Sequence, residues 1–455
     1  MSAVPGRIVP CLPRDVTFTR DQMRALYGIL DDIQYRRHRG AVLKGYAGCG
    51  KTWLAAYIVE ELESHGYRVA LAAPTNKAAG VLQQSFAKMR YATTVLTVHA
   101  LLKLRPVRHL DGNLEFVQHD TSHLDAYHVI VIDECSMISH RMFALLLRCR
   151  AYLLFLGDPA QLPPVGYRDM SPTFSHPDLA QFELRTVVRQ KGGSSILTLA
   201  QDVRDADAPF ANVFPYADGE SLHIVRRQDY PLVEVDPDAT RMLAWTNKVV
   251  DRYNRSIHQF KFPWSGMAYE VGERIVLQAA HYSGCLGFSN GTEATVQSVE
   301  SGLHPDWPQI PAWKLRVILS HGLRYPSPEE AACAMTEDAQ KPVPVSDVEA
   351  TLYVAQSLDQ VIRLEEYHFR EARSAQSRNQ LREAENWSAQ GWKLRDDFAR
   401  VRHAYASTVH KSQGSTYHTA VVDLHDLQNP KAQGIFNRLL YTAITRPSHR
   451  LVLLS

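Results

Sequence analysis

The sequence lacks any apolar run near the roughly 18 residues needed to cross a bilayer. Met1 to Arg14 carries prolines and arginines but no apolar signal-peptide stretch, so a cytoplasmic location without membrane partners is expected. Cysteine is sparse: six residues, with no Cys-x-x-Cys pair and no Cys/His cluster at zinc spacing, which excludes a zinc module or a disulfide framework. Neither sign of charge dominates, since 50 Lys+Arg against 48 Asp+Glu leave a formal +2. The total therefore does not announce a nucleic-acid partner, although a strand held in a groove needs only a local basic lining. No low-complexity tract or short-period repeat occurs, which removes solenoids. What remains is an ordinary globular balance, 45% hydrophobic and 22% charged, over 455 residues, enough for about two to four domains.

Several short, wholly apolar runs stand out: Ala41–Leu43, Val69–Ala73, Val129–Ile132 and Leu153–Leu156. Such runs suit strands of a parallel sheet buried on both faces. Each stops at a polar cluster, where ligands of open α/β sheets sit. Asp111-Gly112, inside 101–119, marks a β-hairpin insertion. A second α/β segment starts near 176 and includes a strand from Arg241. From Tyr269 the pattern becomes that of a small barrel with an Asn290-Gly291 turn, then a loop over 325–346 and a charged helical stretch from Leu358 to Tyr405. Thr419–Leu424 and Arg450–Leu454 return to α/β character. The expected fold class is α/β. Its domains are 1–175 with the 101–119 hairpin, 176–265 joined to 405–455, and an insertion at 266–404.

Gly45-Tyr46-Ala47-Gly48-Cys49-Gly50-Lys51-Thr52 follows a strand and opens a helix, the setting a phosphate loop requires. Gly45, Gly48, Cys49 and Gly50 would cradle phosphates, Lys51 would meet the β/γ-phosphates, and Thr52 with Asp133 would hold Mg²⁺. Glu134, the second carboxylate at the end of Val129–Ile132, would orient and deprotonate the attacking water. Arg189 and Arg446 are candidate arginines for the leaving γ-phosphate. Thr75–Ala79 and Thr246–Val250 begin like a guanine-reading Asn-Lys-x-Asp but lack its aspartate, which favours ATP over GTP.

Taken in order, the clusters resemble the motifs of superfamily 1 helicases, in their RecD-like 5′-to-3′ branch. Thr19–Gln22 resembles the Q motif, Gly45–Thr52 motif I, Ala73–Ala79 motif Ia and Thr97–His99 motif Ib. Asp133–Ser136 resembles motif II, Gly157–Val165 motif III, the Arg189 segment motif IV, Ser407–Gly414 motif V and Tyr441–Arg446 motif VI. The resemblance implies two RecA-like P-loop domains sandwiching ATP. A hairpin in the first domain acts as a strand-separating pin, and the second carries an inserted SH3-like barrel and a helical tower. It further implies that Gln22 reads adenine, Gln161 couples the γ-phosphate to DNA, and Gln413 and Gly414 line the cleft. Single-strand contacts fall by resemblance on Pro74, Thr75, Asn76, Lys77, Thr97, His99, Thr408, His410, Lys411 and Ser412. Trp245, Thr246 and Asn247 join them, with Phe116, and less directly His109, stacking at the pin.

The expected activity is ATP-dependent 5′-to-3′ translocation and duplex separation by a monomer acting on single-stranded and forked DNA in replication or recombination. A single-strand-binding protein is a further expected partner, and for a phage-encoded chain the location is the host cytoplasm. The alternative is a single-strand-stimulated ATPase translocase that displaces bound proteins with little unwinding.

Overall fold

The computed structural model describes residue 8 and residues 17–88, 95–118, 122–167, 169–186, 194–324 and 343–455. Arg189, all but one residue of Met1–Arg14, His119 and positions 325–342 of the expected loop lie outside the described residues.

The apolar runs form a six-stranded parallel sheet. It contains β1 (Gly40–Gly45), β2 (Val69–Ala73), β3 (Val95–Thr97), β6 (Val129–Ile132), β7 (Tyr152–Gly157) and β8 (Leu179–Leu184), in the order β3-β2-β6-β7-β1-β8. Neighbouring residues of a strand point to opposite faces. Accordingly Ala41 and Leu43 join one buried cluster with Leu26, Ile29 and Leu54, whereas Val42 joins another with Ile130, Leu153 and Phe155. Both faces are thus covered. α1 (Arg20–Tyr35) and α2 (Lys51–Ser64) pack on the first, and α3 (Asn76–Lys88), α4 (Val98–Leu101) and α5 (His140–Leu146) complete the layer set. Between α4 and β6 the chain makes an antiparallel hairpin, β4 (Arg105–Arg108) with β5 (Leu114–Val117).

A second parallel sheet has the order β20-β10-β21-β22-β9, from β9 (Leu222–Val225), β10 (Thr240–Ala244), β20 (Ala406–Thr408), β21 (Tyr417–Asp423) and β22 (Pro447–Leu454). Helices α6 (Ser195–Asp205) and α7 (Asn247–Lys261) flank it. Between α7 and β20 the chain builds antiparallel sheets. The larger has the order β18-β15-β14-β11-β19, from β11 (Arg274–Leu277), β14 (Glu293–Leu303), β15 (Pro311–Leu319), β18 (Val348–Ala355) and β19 (Val401–His403). The smaller joins β12 (His281–Ser283), β13 (Leu286–Phe288), β16 (Gly322–Arg324) and β17 (Val343–Val345). Two helices, α8 (Leu358–Ser377) and α9 (Leu381–Asp397), pack as a pair.

The helical stretch read from the sequence as far as Tyr405 is corrected here. It breaks at Asn379, which adopts φ 62°, and ends at Asp397. Val401–His403 then pairs with β11, and Ala406–Thr408 with β10. The seam between α7, the insertion and β20 is fastened by one buried carboxylate. A Glu273 oxygen lies 2.8 Å from His258 Nδ1 and 3.0 Å from His403 Nδ1, and accepts from Tyr405 Oη at 2.8 Å. Burial alone would raise the Glu273 pKa, but the two histidines hold it down at about 2.

The remaining short helices carry site residues: α10 (Val409–Ser412), α11 (Leu424–Leu427) and α12 (Phe436–Ile444).

Candidate nucleotide cleft and strand groove

β1 delivers the loop and α2 receives it. Gly48 and Gly50 adopt φ 83° and 80°, a left-handed backbone that favours glycine. A Cβ on Gly50 would also lie 2.9 Å from the Gln22 amide. Lys51 Nζ donates to the carbonyls of Gly45 (2.6 Å) and Tyr46 (3.0 Å), so the ammonium sits inside the loop it serves. Thr52 Oγ1 donates to Asp133 Oδ2 at 3.3 Å, and Glu134 N donates to Asp133 Oδ1 at 2.8 Å. A hydroxyl beside a desolvated carboxylate is a hard-oxygen donor set, and these two groups fit Mg²⁺. Burial raises the pKa of both acids. For Glu134 the adjacent Asp133 charge adds to burial, against Arg446 and Lys51, and the result is about 7. Glu134 also holds φ 52°, a left-handed strain for a non-glycine residue that costs on the order of 1 kcal/mol or more.

Gln22 caps α1 together with Thr19, accepting from Thr19 N at 3.0 Å. Its Nε2 donates to the Cys49 carbonyl at 3.2 Å. That leaves one lone pair and one N–H for a base edge. Cys49 and Cys135 are buried, and desolvation pushes the Cys135 thiol up to about 12.

The second sheet approaches this loop through α12. Tyr441 Oη donates to Asp158 Oδ2 at 2.7 Å and lies 3.5 Å from Ala47 N, so one phenol touches both motif III and the phosphate loop. Arg438 Nη1 donates to the carbonyls of Pro159 (2.5 Å) and Gln161 (3.1 Å). The Arg204 guanidinium lies 3.7 Å over the Tyr46 ring. Sequence reasoning missed Arg438 and Arg204, and gave Tyr441 and Asp158 no role beyond motif membership. The Gly-Asp-Pro run alone marked Asp158 as a strand-end carboxylate.

Arg446 is 5% exposed, its guanidinium held by the carbonyls of Thr442 (2.9 Å) and Ser415 (3.3 Å). Gln413 Nε2 donates to the Leu162 carbonyl at 3.4 Å, and a Cβ on Gly414 would lie 3.0 Å from Ala78 of α3. Gln413 and Gly414 thus meet motif III and α3. Four buried polar atoms without partners among the described residues lie in motifs II, III, V and VI: Ser136 Oγ, Gln161 Oε1, Gln413 Oε1 and Thr442 Oγ1.

The residues expected to hold DNA separate into two groups. A groove of about 1070 Å³ is walled by Asn76, Lys77 and Thr97 of the first domain, Arg241 and Tyr417 at the amino ends of β10 and β21 in the second sheet, and Arg274, Tyr282 and Phe288 of the insertion. Lys77 reaches across it to Glu293 (3.2 Å) and the Tyr417 hydroxyl (3.4 Å). Thr75, just after Pro74, accepts from Ala78 N (3.2 Å), and Thr97 from Ala100 N (3.1 Å). Each is a helix N-cap whose own O–H is left for a phosphate. Lys411 is exposed and donates to Gln278 at 2.6 Å, and His410 is half-buried.

Other expected contacts need correction. Ser412 is fully buried and donates to the Val409 carbonyl, and Thr408 is 6% exposed while capping α10. Neither hydroxyl faces the groove's solvent. Trp245 N, Thr246 N and Thr246 Oγ1 all donate to Asp426, at 2.8, 2.8 and 2.9 Å, and Trp245 packs on the second core. Asn247 remains exposed, accepting from Arg402 at 3.0 Å.

His99 and Phe116 meet edge to face at 5.6 Å, with Phe116 39% exposed. The hairpin that carries Phe116 is gripped by α8 and α9. Trp392 Nε1 donates to the His109 carbonyl (3.2 Å), Arg373 to that of Asp111 (3.1 Å), and Arg395 to that of Gly112 (3.0 Å). Arg108 pairs with Asp396 at 2.8 Å. Gly112, at φ 85°, lies flat on the Phe369 ring, which a Cβ would meet at 2.6 Å.

Residues 18–227 match the model of an AAA domain, and residues 403–454 that of a UvrD-like helicase C-terminal domain. The chain is 25% identical to the ATP-dependent DNA helicase dda of Enterobacteria phage T4, over 94% of this chain and 97% of that protein. It is 32% identical to the RecBCD enzyme subunit RecD of Mycolicibacterium smegmatis, over 50% of this chain and 43% of RecD. In fold it resembles Bacteroides Pif1 helicase, solved with ADP-AlF3 and single-stranded DNA, at a TM-score of 0.52 and 15% identity, over 97% of this chain and 93% of that one. With its P loop, its strand-end carboxylates and its second parallel sheet, the chain joins an AAA domain to a UvrD-like helicase C-terminal domain and is a helicase related to Dda and RecD, with a fold like that of Pif1.

Proposed function

We propose that the chain hydrolyses ATP in the cleft between the two parallel sheets and uses the cycle to move 5′ to 3′ along single-stranded DNA, splitting the duplex at the β4–β5 hairpin. The observation that carries this reading is the set of bonds across the cleft. Tyr441 reaches Asp158 and the phosphate loop, Arg438 reaches Pro159 and Gln161, and Gln413 reaches Leu162. Lys51 meets the β/γ-phosphates. Thr52 and Asp133 would hold Mg²⁺, which would neutralise charge on those oxygens. Glu134 orients the attacking water and takes its proton. Arg446, on the far side of the cleft, stabilises the charge that develops on the γ-phosphate, and Arg189 of motif IV is assigned the same role. Gln161 and Gln413, each with an unpartnered amide oxygen, report γ-phosphate occupancy to the strand groove. There Asn76, Lys77 and Thr97 hold phosphates, Lys77 exchanging Glu293 for the strand.

The insertion is read as an SH3-like barrel and tower that hold the hairpin, whose Phe116–His99 pair meets the fork. A forked duplex with a 5′ tail tests the reading. Strand separation on 5′-tailed and not on 3′-tailed substrates is expected, and the reverse preference overturns the polarity. Gly112→Val, which drives a side chain into Phe369, separates the two activities. Unwinding should fall about tenfold while strand-stimulated ATPase stays within twofold, through overpacking of roughly 1–3 kcal/mol at the grip. Strong strand-stimulated ATPase with no unwinding by the unaltered chain would instead establish a protein-displacing translocase.

A further inference from the structure

Three parts of the molecule send a cation to one point of the strand groove. Lys77 comes from the first turn of α3, Arg241 from the amino end of β10 and Arg274 from the start of β11. All three line the groove, and so does the acid they surround, Glu293 at the start of β14. Glu293 Oε1 accepts from Lys77 Nζ and from Arg241 Nη2, each at 3.2 Å, and Oε2 lies 3.7 Å from Arg274 Nη1. Burial alone would raise the Glu293 pKa, but Arg241, Lys77 and Arg274 hold it below its ordinary value, so the group is a carboxylate.

One carboxylate does not balance three cations. Asp238, the other acid that lines the groove, takes Arg274 Nε at 2.6 Å, which leaves Lys77 and Arg241 sharing Glu293. Arg241 is 4% exposed. Its Nη1 donates to the Ala404 carbonyl, and its Nε has no partner among the described residues, a donor to spare beside the carboxylate. Lys77 Nζ and the Arg241 guanidinium each lie 5.2 Å from the centre of the Tyr417 ring, which braces both. Lysine and arginine held in place around two anionic oxygens do not distinguish a carboxylate from the two free oxygens of a backbone phosphodiester. The cluster also stands among groups suited to a strand: the Thr97 hydroxyl on one wall, and on another the Tyr282 ring, 53% exposed, a surface on which a base can stack.

From this convergence we infer that Lys77, Arg241 and Arg274 form one phosphate seat of the strand groove, and that Glu293 is its internal occupant, displaced by a backbone phosphodiester of the single strand. The seat draws on the first domain, the second sheet and the insertion, so the strand joins the same three parts that Glu293 joins in its place. This rests on the strand-translocation reading above, and adds to it Arg241 and Arg274 as phosphate ligands and Glu293 as their competitor.

The test titrates a fluorescent oligothymidylate of about twelve nucleotides with the full chain, read by anisotropy at several salt concentrations. Glu293→Gln keeps the shape of the side chain and removes its charge. It should bind on the order of tenfold more tightly than the unaltered chain at low salt, the gain shrinking as salt screens it. Arg274→Gln should weaken binding about threefold and flatten the log–log salt slope by about 0.7, one phosphate contact on a single strand. An ion pair that only fastens the insertion gives the other sign. Binding by Glu293→Gln that is equal to or weaker than that of the unaltered chain overturns the inference, as does unchanged binding by Arg274→Gln. Should thermal melts show that Glu293→Gln does not fold, Glu293→Asp, which keeps the charge and withdraws it by one methylene, takes its place. It should bind about threefold more tightly, and equal or weaker binding overturns the inference in the same way. If neither the unaltered chain nor a Glu293 variant binds the oligomer, the strand-translocation reading itself fails, a result distinct from the others.

Discussion

The two parallel sheets follow one plan but hold their functional groups in different states. At the ends of the first sheet Lys51 is held by Gly45 and Tyr46 and Thr52 by Asp133, while Ser136 Oγ and Gln161 Oε1 have no partner among the described residues. At the facing edge of the second, Arg446 is braced by Thr442 and Ser415, while Gln413 Oε1 and Thr442 Oγ1 have no partner among the described residues. The lysine expected to meet a nucleotide thus rests half-buried in its own loop, whereas the arginine expected to act on the γ-phosphate is buried and braced by its own domain. On the proposed reading, hydrolysis needs both groups and is gated by closure of the two sheets on the nucleotide, which would turn a chemical step into a movement.

The sharpest way to break this comparison is Arg446→Ala. Steady-state ATPase on single-stranded DNA should lose about 10⁴-fold in kcat, with KM for ATP changed less than threefold. A matching rise in KM would make Arg446 a ground-state binder and remove the asymmetry. Glu134→Gln attacks the first sheet's chemistry and should cost about 10³-fold in kcat, while affinity for a non-hydrolysable ATP analogue persists in fluorescence titration.

Glu273→Gln tests the seam that joins the insertion to the second sheet. The folded pKa of Glu273 is depressed to about 2 from an ordinary 4.5, so its stabilisation is present above pH 4.5 and is lost as pH falls toward 2. The shift amounts to about 3 kcal/mol. Denaturant melts should show the unaltered chain losing that much over the interval and the variant already lacking it at neutral pH. His258, whose pKa the same contact raises, loses the pair from the alkaline side, as pH rises through its folded pKa. Smallest is Tyr441→Phe, which removes one bond to buried Asp158 and should lower ATPase kcat/KM about fivefold, near 1 kcal/mol. No change would show that the two sheets communicate by another route.

The first domain was legible because a strand buried on both faces must be apolar throughout. Val129–Ile132 could hardly be anything else, and the acids that follow it had to lie at a sheet edge. The hairpin was legible from Asp111-Gly112, since Gly112 supplies the positive φ such a turn needs. The limit of the helical stretch was not. Val401–His403 and Ala406–Thr408 become strands through pairing with β11 and β10, partners more than a hundred residues earlier. The same distance hid Arg204 over Tyr46 and Tyr441 on Asp158, because no local pattern records which residues two domains bring face to face. Thr408 and Ser412 carry the right chemistry for a phosphate but are turned inward, a matter of packing that the motif does not encode.

The grip of α8 and α9 on the hairpin also has an evolutionary reading. Trp392, Arg373 and Arg395 hold the main-chain carbonyls of His109, Asp111 and Gly112, atoms that every amino acid possesses. Placement of the hairpin is thereby largely uncoupled from what the hairpin is made of. Apart from Gly112 and the bonded Asp111–Asn113 pair, the tip can be rewritten residue by residue without moving it, so on the proposed reading the way the hairpin meets a fork can be tuned as an exchangeable cartridge on a fixed mount.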